Sequence, residues 1–232
     1  MSRKVLVTGG TGGIGQAIAT AFAARGDQVL ATGVETELPP ATGNIDYATL
    51  DVRNQEAIQQ LVGTLAGLDI LVNCAGVLYR DNQEHQVAGF EDVVDINLLG
   101  TMRTSFACRE LLAAAGGCVL NMASMLTFFG SGPAPGYSAS KGGVAQLTRS
   151  LAIGWADDPI RVNAIAPGWI ETALTQPLVD DSQRSSEILK RTPLGRWGTV
   201  DDLSGAALFL CSHKAAFITG VILPVDGGYS VR

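Results

Sequence analysis

"VTGGTGGIGQAIA", residues 7–19, contains five glycines between a short apolar run and a segment with helical periodicity. The first turn of such a helix presents unpaired N–H groups and a partial positive charge, and both attract anions. Gly9, Gly13 and Gly15 permit a tight turn and a close backbone approach, and Gly15 also lets the helix lie near the sheet. Gln16 follows where a nucleoside triphosphate loop would continue with Lys and Ser or Thr. The stretch therefore predicts a phosphate-binding turn between a strand and a helix.

The composition is that of one globular domain over residues 1–232, because 47% of the residues are hydrophobic and 16% are charged. The formal net charge is −6 and no basic cluster occurs, which argues against nucleic acid or an anionic membrane as a partner. No apolar stretch reaches about 18 uninterrupted residues, and the chain passes directly into a strand pattern without a signal peptide. We therefore expect a soluble cytoplasmic protein.

Cysteines and histidines give no sign of a metal site. The two histidines, His85 and His213, lie among polar residues and are interpreted as solvated surface side chains. The cysteines lie far apart in apolar runs, which predicts small buried thiols in a reducing compartment. They are Cys74, Cys108, Cys118 and Cys211.

Short runs rich in valine, isoleucine and leucine alternate with helix-periodic segments along the chain. Continuous apolarity indicates strands buried on both faces, so the alternation predicts a doubly wound α/β domain with a parallel sheet of about seven strands. The predicted strands are Lys4–Thr8, Gln28–Thr32, Ile45–Leu50, Asp69–Asn73, Gly117–Ala123, Ile160–Ala164 and Thr219–Pro224. The predicted helices are Ile14–Arg25, Gln55–Leu65, Phe90–Ala115, Tyr137–Trp155 and Val200–Ser212.

One connection departs from this alternation. "GVETELPPATGN", residues 33–44, carries Pro39, Pro40 and Gly43, which oppose a full helix. We expect a short turn or a helical fragment there, which leaves part of one sheet face less covered.

"YSASK", residues 137–141, carries chemistry that the residues alone predict. Tyr137 and Lys141 are four apart on a helical segment, so both side chains project from one face. A phenol titrates near 10, and a nearby ammonium is expected to lower its pKa toward neutral pH, as a proton shuttle requires. Ser124 lies at a predicted strand end, where its hydroxyl could hydrogen-bond a carbonyl oxygen.

Further short motifs follow in order: "LDV" (50–52), "NCAG" (73–76), "INLLG" (96–100), "NMAS" (121–124), "RVNAIAPGWIET" (161–172) and "VDGG" (225–228). With the spacing TGxxxGIG and YSASK, they resemble the single-domain branch of the short-chain dehydrogenase/reductase family. Cys74 departs from that family's NNAG pattern. The resemblance implies a Rossmann-type three-layer sandwich and hydride transfer between a nicotinamide and a carbonyl or secondary alcohol.

The resemblance also implies roles for individual residues. Tyr137 would be the acid/base, Ser124 would polarise the carbonyl, Lys141 would hold the ribose, and Asn97 would support a proton relay. The implied cofactor contacts are Gly9, Thr11, Gly12, Gly13, Ile14, Gly15, Gly33, Glu35, Asp51, Val52, Asn73, Ala75, Gly76, Tyr137, Lys141, Pro167, Gly168, Ile170 and Thr172.

The expected cofactor is NAD. Family members that use NADP carry a cation after the second strand or before the GIG, whereas this chain has Glu35 and Gly12 there. Glu35 would repel a 2′-phosphate, and no cation is available to neutralise one.

An apolar pocket for a ketone or alcohol is expected from residues after Ser124 and Gly168. No Arg or Lys is plainly placed for a substrate carboxylate. The candidate pocket residues are Met125, Leu126, Phe128, Phe129, Trp169, Leu174 and Leu178.

Residues 172–197 resemble the mobile substrate lid of the family. The family resemblance also implies a homotetramer, with a dimer as the second possibility.

Two alternative functions stay open at this point. One is a beta-ketoacyl thioester reductase acting on an acyl carrier protein, which the overall acidity disfavours. The other is a dinucleotide-binding sensor without catalysis, which the intact set of Asn97, Ser124, Tyr137 and Lys141 disfavours.

Overall fold

Seven parallel strands form one sheet in the computed structural model, which describes residues 2–232. The strands are β1 (Lys4–Thr8), β2 (Gln28–Gly33), β3 (Ile45–Thr49), β4 (Ile70–Asn73), β5 (Cys118–Met122), β6 (Arg161–Pro167) and β7 (Ile222–Val225). Their order across the sheet is β3-β2-β1-β4-β5-β6-β7, and all neighbours pair in parallel. The predicted doubly wound α/β fold is confirmed.

Helices cover both faces of the sheet. They are α1 (Gly13–Ala24), α2 (Gln55–Gly63), α3 (Val87–Val94), α4 (Gly100–Ala115), α5 (Pro135–Gly154), α6 (Gln176–Asp180), α7 (Ser182–Arg191) and α8 (Asp201–Leu210). Alternate side chains of β1 face opposite layers: Val5 and Val7 pack with Phe22 of α1, and Leu6 packs with Leu112 of α4. Burial on both faces explains the continuous apolar runs in the sequence. Within residues 2–232, no helix combines the length and apolar character that crossing a bilayer requires.

Element boundaries agree with the predictions to within a few residues, with two informative differences. Strand β6 runs on to Pro167, three residues beyond its predicted end. The predicted helix Phe90–Ala115 begins earlier and is interrupted by a π-helical turn, Asp95–Leu99, between α3 and α4. Residues 34–44 contain bends and one isolated bridge between Thr42 and Ile45, so the prediction that no full helix forms there is confirmed.

The segment 172–197 contains two helices, α6 and α7, which its sequence did not reveal. Asp181 caps α7 by accepting hydrogen bonds from the backbone N–H groups of Gln183 and Arg184, both at 3.0 Å. Among the residues of α7 only Ile188 is buried, so the helix lacks the apolar stripe by which periodicity is recognised.

The order of the strands fixes where a ligand can bind. The chain runs from β1 to β2 on one side of the sheet and later returns to place β4 on the other side of β1. The connections that leave the carboxyl ends of β1 and β4 therefore diverge and open a crevice, the usual binding position in open α/β sheets.

Candidate active site

A cleft of about 560 Å³ occupies this crevice at the carboxyl ends of β1, β2 and β4. It is continued by the first turns of α5 and by residues 172–174. Most of the predicted cofactor residues line it: Gly9, Thr11, Gly12, Gly13, Ile14, Gly15, Gly33, Glu35, Asp51, Val52, Ala75, Gly76, Tyr137, Lys141 and Thr172.

The glycine loop has the geometry that a pyrophosphate needs. Gly9 and Gly13 have φ values of 64° and 51°, which side chains rarely adopt. A Cβ at Gly9 would lie 2.7 Å from the Ala75 backbone, and one at Gly15 would lie 2.0 Å from the Gly9 carbonyl oxygen. Helix α1 starts after Gly12 without a side-chain cap, so the N–H groups of its first turn are free for an anion. These residues fit the phosphates of a dinucleotide.

Glu35 folds back over the glycine loop. The Thr11 hydroxyl donates a hydrogen bond of 2.8 Å to Oε2 of Glu35. A Cβ at Gly33 would lie 2.1 Å from that same oxygen, so a glycine at this position makes the contact sterically possible. An exposed carboxylate is thereby fixed at the end of β2, beside the cleft.

Asp51 is already engaged by a neighbouring cation. Its carboxylate accepts a hydrogen bond of 2.7 Å from Arg53, and this bond lowers the pKa of Asp51. Arg53 also donates to Asp92 at 2.9 Å, and Asp92 accepts from the Tyr79 hydroxyl. Any contact of Asp51 with a cofactor would therefore share the carboxylate with Arg53.

Helix α5 and strand β5 bring three of the predicted catalytic residues together. Tyr137 lies in the first turn of α5 and Lys141 one turn later, with Nζ 5.4 Å from the centre of the Tyr137 ring. The Lys141 ammonium donates a hydrogen bond of 2.7 Å to the Met122 carbonyl oxygen. Ser124 follows β5, is 7% exposed, and its hydroxyl interacts with Tyr137.

The pKa of Tyr137 moves in the opposite direction from the prediction. Burial of the phenol raises its pKa to about 12, although the Ser124 hydroxyl opposes the shift. Burial also lowers the pKa of Lys141 to about 8. The sequence predicted that the ammonium would lower the phenol pKa, but here the Lys141 ammonium is directed to the Met122 carbonyl and burial dominates.

Asn97 lies in the π-helical turn and is completely buried. Its amide forms two hydrogen bonds with the Val77 backbone, accepting at 2.8 Å and donating at 2.9 Å, and a third with Ser140 at 3.1 Å. A Cβ at Gly76 would lie 3.2 Å from Oδ1 of Asn97 and 3.7 Å from Nζ of Lys141. The side chains of Asn97 and Lys141 therefore both lie next to Gly76 in the cleft wall. The hydrogen bonds from Asn97 to the Val77 backbone hold this part of the wall in position.

Four predicted cofactor contacts do not line the cleft. The Asn73 side chain points into the interior, where its amide donates to Ser105 and Asn121, both at 2.9 Å. Its role here is to join α4 to the sheet. The other three lie at and beyond the end of β6, outside the cleft wall: Pro167, Gly168 and Ile170.

The predicted substrate pocket is largely filled by its own residues. Met125 packs with Ile188, Trp197 and Tyr229, so these side chains join the segment after β5 to the segment 172–197. Leu126, Phe129, Trp169 and Leu178 pack against this cluster. Of the predicted pocket residues, Phe128 and Leu174 are more than one-third exposed.

Three residues after β4 contribute to the site and were missed or not assigned a role. Cys74 lines the cleft, and burial raises its thiol pKa to about 11. The Arg80 guanidinium donates a hydrogen bond of 2.5 Å to the Leu174 carbonyl oxygen and so links this loop to the segment 172–197. Glu84 is 1% exposed and bonds the backbone of α5. A buried Glu in a polar loop gives no periodic signal.

The described part of the chain, residues 2–232, contains no group of three or more histidine, cysteine or acidic side chains arranged to hold a metal ion. His85 and His213 are exposed, and Nε2 of His85 lies 2.9 Å from the Gly132 carbonyl oxygen.

The family model, the sequence relatives and the solved structure that resemble this chain are all named as reductases or dehydrogenases. A family model described as enoyl-(acyl carrier protein) reductase matches residues 9–230. A 2-dehydro-3-deoxy-D-gluconate 5-dehydrogenase from Bacillus subtilis is 40% identical, over 99% of this chain and 95% of that protein. A 3-oxoacyl-acyl-carrier-protein reductase from Chlamydia pneumoniae is 36% identical, over 98% and 97%. The solved structure of a gluconate 5-dehydrogenase from Burkholderia cenocepacia, in complex with NADP and tartrate, has a TM-score of 0.92 at 31% identity, covering 100% of this chain and 97% of that chain.

Proposed function

The chain belongs to the short-chain dehydrogenase/reductase family of NAD(P)-dependent oxidoreductases that act on CH–OH groups, and we propose that it interconverts a secondary alcohol and a ketone on a sugar acid, with NAD as cofactor. The observation that carries this proposal is that Tyr137 and Lys141 line one cleft together with a glycine loop, and that the Ser124 hydroxyl interacts with Tyr137.

Tyr137 is the proposed proton donor and acceptor. When bound, the nicotinamide supplies or accepts the hydride. A phenol with a pKa of about 12 is protonated at neutral pH, so Tyr137 can donate its proton to a carbonyl oxygen during reduction. Ser124 lies beside the phenol and donates a hydrogen bond to the same oxygen, which polarises the carbonyl.

Lys141 and Asn97 support the proton transfer by Tyr137. Lys141 holds the cofactor ribose through its ammonium, which must then share or leave the Met122 carbonyl oxygen. Asn97 keeps the wall at Val77 in place and supports a proton relay toward Lys141. Both roles follow the family resemblance and the proximity of the two side chains at Gly76.

The preference for NAD over NADP is proposed from charge. Glu35 is exposed, lines the cleft and bonds the Thr11 hydroxyl of the glycine loop. Arg53 also lines the cleft, but Asp51 and Asp92 already balance its charge. A 2′-phosphate at the end of β2 would therefore meet a carboxylate and no free cation. The structure of the Burkholderia cenocepacia relative contains NADP, so the cofactor preference of this chain has to be measured.

A sugar acid is proposed as substrate because of the relatives' substrates and because of Arg80. The Bacillus subtilis relative is named for 2-dehydro-3-deoxy-D-gluconate, and the Burkholderia cenocepacia relative for gluconate. Arg80 is half-buried and forms none of the ion pairs found among residues 2–232. Its guanidinium reaches Leu174, which lines the cleft together with Tyr137, so it is available for a carboxylate.

The segment 172–197 is proposed to act as a substrate lid. It joins the body of the protein through the cluster around Trp197 and through the bond from Arg80 to Leu174. Release of the second contact would open the mouth of the cleft.

A homotetramer is proposed from the family resemblance and from large apolar side chains that are exposed on several elements of the fold. Leu99, Phe106 and Ile153 are exposed on the π-helical turn, α4 and α5, and Phe209, Phe217 and Val231 are exposed on and after α8. Association of subunits through two different surfaces would produce a tetramer with closed symmetry. Light scattering gives the mass, and a monomer of 24.1 kDa would contradict the proposal.

The test of the function is a substrate panel with the Tyr137→Phe variant as control. The wild type is expected to turn over keto or hydroxy sugar acids, and the variant should lose turnover while it still binds the cofactor. Preferred reduction of a ketoacyl thioester would support the second candidate, a 3-oxoacyl-acyl-carrier-protein reductase, which the Chlamydia pneumoniae relative favours. Cofactor binding without turnover of any substrate would support the non-catalytic sensor.

A further inference from the structure

We propose that Glu84 is a positioning residue of the active site, whose buried carboxylate joins the loop after β4 to the first turn of α5 and so fixes Tyr137 beside Ser124. The inference rests on the proposed function of Tyr137, and it adds a residue that lies outside the catalytic set.

The geometry is a bridge between two segments. Oε1 of Glu84 accepts a hydrogen bond of 2.9 Å from the Tyr79 backbone N–H, and Oε2 accepts one of 2.8 Å from the Tyr137 backbone N–H. Tyr79 lines the cleft, so the carboxylate connects a wall of the cleft to the residue that carries the proton. Glu84 is 1% exposed, and an anion so deeply buried persists only where it is well hydrogen-bonded.

Helix α5 needs this distant group because it lacks a local cap. Its N-cap residue, Ala134, has no side-chain acceptor, and Pro135 has no backbone N–H to offer. The Tyr137 N–H is therefore one of the unpaired donors of the first turn, and Glu84 satisfies it from 53 residues away in the chain. A carboxylate at this end also interacts favourably with the positive end of the helix dipole.

The loop that carries Glu84 is itself held in an unfavourable conformation. Asp81 and Asn82 have φ values of 55° and 58°, the left-handed region, immediately before the 3₁₀ turn Gln83–His85. Such residues persist where the surrounding contacts stabilise them. A Cβ at Gly136 would lie 3.3 Å from Oε2 of Glu84, so the close approach of the carboxylate to α5 also uses a glycine.

The charge of Glu84 acts on the phenol as well. The titratable groups around the Tyr137 side chain are Lys141 on the same helix, Cys74 at the end of β4 and Glu84. Tyr79, which Glu84 also holds, is hydrogen-bonded to Asp92. After burial, which is the main cause, the charges of Cys74 and Glu84 contribute to raising the pKa of Tyr137. Removal of the Glu84 charge should therefore move this pKa downward.

The test compares Glu84→Gln with Glu91→Gln, a matched change at an exposed position on α3. Glu84→Gln keeps the size and one acceptor but leaves one backbone N–H without a partner. We expect kcat to fall on the order of tenfold to a hundredfold, because a small displacement of a reacting group is costly, while KM for the cofactor changes less than threefold. The pH at which alcohol oxidation begins should shift downward, which a loss of folded protein alone would not cause.

Glu84→Asp separates charge from reach. Asp keeps the negative charge but is one methylene shorter, so kcat should fall without a shift in the pH profile; this variant carries the test if Glu84→Gln does not fold. Wild-type kcat and an unmoved pH profile in Glu84→Gln, or wild-type kcat in Glu84→Asp, would overturn the proposal. Retained turnover in Tyr137→Phe would overturn the proposed function instead, so the two failures are distinguishable.

Discussion

Glu35→Ala should relax the cofactor preference by a predictable amount. Glu35 is exposed, so its repulsion of a 2′-phosphate is screened by water and is worth about 1 kcal/mol per unit charge at about 4 Å. A phosphate with nearly two charges is then disfavoured by about 2 kcal/mol. Loss of a charge-assisted hydrogen bond to the ribose hydroxyls of NAD adds about 1 kcal/mol. Together these effects correspond to a change of about a hundredfold in the ratio of the two kcat/KM values.

The assay measures kcat/KM for NADH and NADPH with one substrate, in the wild type, in Glu35→Ala and in Glu37→Ala. Glu37 is an exposed acid two residues further along that does not line the cleft, so its removal changes the net charge equally. The wild type should prefer NADH, Glu35→Ala should lose that preference, and Glu37→Ala should keep it. Added salt should narrow the difference, because the repulsive part is screened. A wild type that strongly prefers NADPH, or an unchanged ratio in Glu35→Ala, would refute the charge argument.

Three further predictions follow from the same geometry. Gly15→Ala places a Cβ 2.0 Å from the Gly9 carbonyl oxygen, so cofactor affinity measured by fluorescence titration should fall at least tenfold, whereas Gly205→Ala, at an exposed position on α8 with open space and outside the cleft, should bind normally. Arg80→Met should raise KM for a sugar acid about tenfold or more without a similar effect on a neutral alcohol, and equal effects on both would contradict the carboxylate role. The folded-state pKa of Lys141, about 8, lies below its ordinary 10.5, so the unfolded chain binds more protons between these values and the free energy of unfolding should rise with pH there, by at most about 3 kcal/mol. Denaturant titrations at pH 8 and pH 9.5 should show this rise in the wild type and not in Lys141→Met.

The parts of the site that the sequence predicts are those fixed by local backbone geometry. The left-handed φ of Gly9 and the contact of Gly15 with Gly9 are requirements of a single turn, and a glycine pattern records them directly. Likewise, the four-residue spacing of Tyr137 and Lys141 is enough to place both on one face of α5.

The parts that could not be predicted depend on pairings between distant segments. Arg80 meets Leu174 across 94 residues and Glu84 meets Tyr137 across 53, and neither contact leaves a periodic or spacing signal. The interior position of the Asn73 side chain follows from its partners Ser105 and Asn121. Such contacts are decided by how the layers pack, which a single sequence does not display.

The wrong direction predicted for the Tyr137 pKa has the same origin, and it has a mechanistic consequence. Burial acts in opposite directions on the two groups: it raises the pKa of Tyr137 to about 12 and lowers the pKa of Lys141 to about 8. Both shifts favour the neutral side chain, so burial opposes the ammonium-stabilised phenolate that the YSASK spacing predicts. At neutral pH Tyr137 therefore keeps its proton and can donate it to a carbonyl oxygen. The Lys141 ammonium lies 5.4 Å from the centre of the Tyr137 ring and donates its hydrogen bond to the Met122 carbonyl oxygen, a partner on β5 that a spacing of four residues does not encode.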